Sequence, residues 1–72
     1  MTTTQLLQFI RENISSISSC RIDETMLHHY TWCQAQISIV YAQGVICAAD
    51  RKQLLEEVEA AKIEFFNKRG LK

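Results

Sequence analysis

The chain contains no proline, and from Thr25 through Ala49 it contains no Asp, Glu, Lys or Arg. With no proline to break a helix interior and glycine confined to Gly44 and Gly70, the composition favours helices joined by few breaks. The uncharged stretch excludes a middle segment bathed in water on all sides, because charged residues are the ones proteins most rarely bury. It predicts a helix buried on more than one side. A membrane span is excluded too. That would need about twenty mostly apolar residues, and this stretch holds His28, His29, Gln34, Gln36, Ser38 and Gln43.

Charge of one sign is also missing. Eight basic residues balance eight acidic ones for a net charge of zero, so nothing general draws the chain to nucleic acid or an anionic membrane. Cys20, Cys33 and Cys47 are odd in number and irregularly spaced. The start Met1-Thr2-Thr3-Thr4-Gln5 has neither the basic residues nor the apolar run of a secretion signal. The expectation is a cytoplasmic protein with reduced thiols.

Residues 1–72 read as a single helical domain. A domain this small buries only about 60% of the surface its unfolded chain exposes. Its stability is marginal unless a disulfide, a metal or a partner subunit supplements the core.

Three helices are expected. The first spans residues 3–17, opened by a capping box at Thr2-Thr3-Thr4-Gln5. Leu6, Leu7, Ile10, Ile14 and Ile17 form its apolar stripe, with Phe9 at the edge. Ser15, Ser16, Ser18 and Ser19 should fray or stop it, since their hydroxyls compete for local backbone groups. The second spans residues 23–43, with Asp23 as N-cap and Ile22 and Leu27 placed as a hydrophobic staple. Gly44 can take the left-handed conformation that ends it, letting Val45 fold back on Val40. The third spans residues 47–68. Leu54, Val58, Ala61 and Phe65 form its core stripe, broadened by Leu55 and Phe66. Lys52, Glu56, Glu57, Glu59, Lys62, Glu64 and Lys68 occupy its wet side. Pairs four apart there, Lys52–Glu56 and Glu64–Lys68, add only about 0.2–0.5 kcal/mol each.

The second helix carries two seams. Met26, Tyr30, Cys33, Ile37 and Val40 repeat as 4-3-4-3, and so do His28, Trp32, Ala35, Ile39 and Ala42. The sets are displaced by two residues, about 200° around a helix of 3.6 residues per turn. One neighbour cannot cover both. The third helix, folded back as an antiparallel hairpin about Gly44 and Val45, should cover one seam, and the short first helix part of the other. The apolar remainder is the natural site for a second copy, so that two hairpins make a four-helix-type bundle. Met26, Tyr30, Trp32, Cys33, Ile37, Ile39 and Val40 are the candidate dimer or partner interface. Trp32 divides between interface and intrachain core. A self-sufficient three-helix monomer is the alternative.

Chemistry-bearing constellations are sparse. His29 and Cys33 share a helical face at a spacing that suits two metal ligands, with Cys20, His28 or Cys47 to complete a site. The plainer reading is that Cys33 is a small core residue and His29 a half-exposed one. Glu24, four residues before His28, offers that histidine an ordinary helix-surface partner. No nucleophile stands beside an oriented base, and the acids of the third helix spread along a solvated face, so no enzyme and no cofactor is expected. The turn Val40-Tyr41-Ala42-Gln43-Gly44-Val45 invites comparison with a helix-turn-helix. A reading helix offers Arg, Lys, Asn or Gln to bases and phosphates. This one mixes Arg51, Lys52 and Gln53 with Asp50, Glu56, Glu57 and Glu59, and Asp50 falls where such a motif buries an apolar residue. The cations near its end, Lys68, Arg69 and Lys72, suit a helix C-terminus.

Tyr41-Ala42-Gln43-Gly44-Val45-Ile46-Cys47-Ala48-Ala49-Asp50, followed by Leu54 and Leu55, resembles the helix–Gly-Val-Ile–helix hairpins of short bacterial and prophage reading frames. Many of those have a Ser or Thr cap where Cys47 stands and an acid three residues on. Asp50 matches and Cys47 departs, which implies a weaker cap. The chain also looks like the small helical accessory proteins of temperate phages, including those encoded between the exonuclease and excisionase genes of lambdoid phages. The resemblance implies a non-catalytic protein that acts on host physiology or phage development through protein contacts. The resulting expectation is an all-α interaction module, a homodimer that binds an unidentified larger host or phage protein, with no membrane and no nucleic acid as partner. The alternative is a small DNA-binding transcriptional regulator using the helix at 47–68.

Overall fold

The computed structural model describes residues 2–68; the tail cations Arg69 and Lys72, and Gly70, lie outside them. Three helices follow one another, α1 (Thr3–Ser18), α2 (Asp23–Ala42) and α3 (Ala48–Lys68). Each packs against both of the others.

Local chemistry sets the ends of α1 and α2. Thr2 caps α1, its hydroxyl accepting from the Gln5 N–H at 3.1 Å while the Gln5 side chain accepts from the Thr2 N–H at 2.9 Å. At the other end the serine hydroxyls turn back on the helix, Ser16 donating to the Asn13 carbonyl at 2.6 Å and Ser18 to that of Ser15 at 3.1 Å. The helix stops there, as such back-bonding favours.

The start of α2 corrects one expectation. Ile22, with extended backbone, is the N-cap, and Asp23 is the first helical residue. Ile22 and Leu27 are 61% and 51% exposed, so the expected staple does not shield them. Asp23 and Glu24 still lie in the first turn, where negative charge favours the helix dipole. α2 ends as its glycine predicts. Gly44 has φ of 76°, Val45 N–H donates to the Val40 carbonyl and Gly44 N–H to that of Tyr41, each at 3.0 Å. This pair of bonds is the Schellman closure. Ile46 then turns inward and is buried beside the core, pinning the connection to the bundle. Cys47 precedes α3 and its thiol donates to the Asp50 carboxylate at 3.4 Å.

The core is a single cluster. Ile10, Ile14 and Ile17 come from α1, Met26, Cys33, Ile37 and Val40 from α2, and Leu54, Val58, Ala61 and Phe65 from α3, with Ile46 from the turn. Leu6, Leu7, Tyr30, Leu55 and Phe66 pack around it, half-buried. The expected stripes of α1 and α3 are thus the ones the fold buries. α2 differs. Both α1 and α3 converge on its Met26–Val40 seam, and α1 leaves the opposite seam uncovered. Three helices about one axis need only one stripe from each, so a third helix adds no cover to the far side.

Candidate functional site

The consequence is a bare, uncharged face on α2. Trp32 is 49% and Ile39 56% exposed, and His28, Ala35 and Ala42 on the same seam are exposed as well. A shallow depression runs along its first half, lined by Leu27, His28, Thr31, Trp32 and Ala35, with Glu24 at its end. Of the seven candidate interface residues, only Trp32 and Ile39 lie on this face. Met26, Cys33, Ile37 and Val40 sit in the chain's own core, and Tyr30 is half-buried at its edge. Four of those five are core positions and Tyr30 borders them, because α1 and α3 share the seam they form.

Side-chain bonds at the edge of the core link each pair of helices. Asn13 Nδ2 donates to Gln36 Oε1 at 3.3 Å, tying α1 to α2. Arg11 forks onto Glu57, its Nε and Nη2 lying 3.3 and 3.4 Å from the carboxylate oxygens, and ties α1 to α3. Gln53 supports the same carboxylate at 3.2 Å. Tyr30 donates its hydroxyl to Glu59, tying α2 to α3. Lys62 lies 4.6 Å from the centre of the Tyr30 ring and 3.5 Å from the Glu59 carboxylate.

This last cluster perturbs its own members. The bond to Glu59 raises the Tyr30 pKa, and the same bond lowers that of Glu59. For Lys62, burial works downward but is outweighed by its interactions with Tyr30 and Glu59, so its pKa rises. Burial alone pushes the Cys33 thiol up.

Among the described residues no three of His, Cys, Asp or Glu form a group that could hold a metal ion. Cys33 is enclosed while Cys20 is half-buried and Cys47 exposed, so the thiols named as co-ligands are held in different surroundings. Three of the four described cations of α3 are engaged with neighbours. Arg51 lies 5.1 Å over the Tyr41 ring, Lys62 reaches Glu59, and Lys68 sits 3.5 Å from Glu64. Among the described residues Lys52 and Glu56 close no ion pair. A second apolar strip runs along the outer side of α3, where Leu55, Ala60 and Ile63 lie between Arg51 and Lys52 at one end and Glu56 and Glu59 alongside.

The periodicity located both seams of α2 and left open which one faces outward; it expected α1 over part of the second seam, which the fold leaves bare. No sequence signal marked the α3 strip, where Ile63 stands alone among charges. No described helix is long and apolar enough to cross a membrane. No family model, curated protein or solved structure matches the chain.

Proposed function

We propose that this chain is a cytoplasmic, non-catalytic protein–protein interaction module. It is a small accessory protein of the phage or bacterial kind its hairpin resembles, one that self-associates and regulates a larger protein by occupying its surface. One observation carries the reading: α2 leaves a seam with Trp32 and Ile39 half-exposed and no Asp, Glu, Lys or Arg between Thr25 and Ala49. Aromatic and aliphatic side chains gathered on an uncharged face suit contact with protein, where the centre of an interface is depleted in charge and enriched in aromatics. They do not suit a nucleic-acid backbone, whose binding rests on unpaired cations. The apolar strip of α3 gives the module a second contact surface, so self-association through α2 leaves room for a larger partner on the other side.

Parallel captures from bacterial lysate with wild-type and Ile63→Glu baits test the regulatory part. A protein retained by the first and lost by the second supports it. Identical captures, or a salt-sensitive gel shift with duplex DNA in place of a protein, overturn it. Light scattering across micromolar concentrations tests self-association, and a monomer mass throughout removes it.

A further inference from the structure

The bare seam of α2 has a pattern that selects its own copy in one orientation. Beyond His28, its last four positions run Trp32, Ala35, Ile39, Ala42, with a large residue and an alanine alternating at spacings of three and four. Two helices laid together along such a seam bring one side chain from each to every level. In a parallel pair Trp32 would meet Trp32 and each alanine would meet an alanine, so the levels would be alternately overfilled and empty. In an antiparallel pair centred at the level of residue 37, Trp32 meets Ala42 and Ile39 meets Ala35. Symmetry repeats both levels, and every one matches a large side chain with a small one. Interdigitation of large and small residues is what close packing between helices needs.

We infer that the seam's occupant is a second copy of this chain, with the two α2 helices antiparallel and a two-fold axis crossing them at the level of residue 37. The inference rests on the self-association proposed above and adds its geometry. One observation independent of the size pattern favours this occupant, and it is charge. A two-fold axis sets equivalent residues of the two copies near one another, and a charge close to the axis meets its like. The segment from Thr25 to Ala49 has no Asp, Glu, Lys or Arg to be so opposed. Every seam residue involved is exposed in the single chain, so pairing requires no unfolding.

Complementary charge substitutions test the geometry. Ala35 and Ile39 are exposed, so Ala35→Lys and Ile39→Glu should each keep the helical circular dichroism of the parent. Alone, each places two ionised groups in the interface and should weaken association at least tenfold, giving a monomer by sedimentation velocity at concentrations where wild type is paired. Mixed in equal amounts, they should recover a heterodimer. One level then joins the introduced lysine to the introduced glutamate, and its symmetry mate keeps the native Ile39–Ala35 contact. A mixture that stays monomeric overturns the antiparallel register while leaving self-association standing. Either single variant remaining paired shows that this seam is not the interface and overturns the inference. A wild type that is monomeric at every concentration overturns both the inference and the proposal beneath it.

Discussion

Tyr30, Glu59 and Lys62 form a cluster that joins α2 to α3 at the edge of the core. The Tyr30 hydroxyl reaches the Glu59 carboxylate, and the two pKa shifts fix the sign of its effect. Glu59 is held below its ordinary 4.5, so the stability this confers is complete above that pH and is lost as pH falls through the lower, folded value. Tyr30 is held above 10.0, so its share is complete below that pH and is lost as pH rises through the raised value. Tyr30→Phe keeps the ring under Lys62 and removes only the hydroxyl. It should cost about 0.5–1 kcal/mol near neutral pH, the lower part of the range for a hydrogen bond because the site faces solvent. Urea melts at pH 7 and pH 3.5 check this, since the difference from wild type should narrow at the acid end. A gap that widens in acid would refute the assignment. The cysteines make a second residue-scale test. Cys33 is enclosed and burial raises its pKa, and only the thiolate attacks alkylating reagents. Iodoacetamide at neutral pH should modify exposed Cys47 first, half-buried Cys20 more slowly, and Cys33 only once the chain unfolds. Peptide mapping that finds Cys33 modified as fast as Cys47 would mean the core opens.

At the scale of the helix, the ends test how local chemistry sets boundaries. Gly44 alone among the described residues has positive φ, and a Cβ added there would meet nothing within 4 Å. Any penalty for Gly44→Ala is therefore backbone strain, about 1–2 kcal/mol for an L-residue in the left-handed region. For a chain of this size the melting temperature should drop about 4–8 °C per kcal/mol. Gly44→Asn should lose less, since asparagine tolerates that conformation. If alanine proved harmless, the helix would have another way to end. The sequence pointed to this terminus because glycine is a strong local signal, and it pointed to the Thr2–Gln5 box for the same reason. Helix ends read from spacing fell within about one residue of Ser18, Ala42 and Ala48. The start of α2 was misread because aspartate suits both the N-cap and the first turn, and local chemistry does not separate them. The Asn13–Gln36, Arg11–Glu57 and Tyr30–Glu59 bonds were invisible to it, joining residues 23, 46 and 29 positions apart.

The whole molecule poses the question that periodicity alone answered only by half. Two seams on α2 were legible, but which one the chain keeps for itself depends on α1 and α3 converging on the same side, a property of the assembled bundle. Trp32 then becomes the residue on which folding and association separate. Its side chain is 49% exposed in the single chain, so its loss should hardly disturb one protomer. Across an interface a tryptophan is a frequent hot spot whose truncation costs about 2 kcal/mol or more. Thermal melting distinguishes the two. If two copies unfold together, each tenfold rise in protein concentration adds about 1.4 kcal/mol to the pair. At about 2.1 cal/mol/K per residue, two chains of 72 residues have an unfolding entropy of about 300 cal/mol/K. The melting temperature should therefore climb about 4–5 °C per decade of concentration. Trp32→Ala should flatten that slope in the micromolar range and converge on wild type at high dilution, where both are single chains. A variant that melts lower by the same amount at every concentration would place Trp32 in the protomer's own stability. A wild type with no slope would leave the uncovered seam without a second copy to explain it.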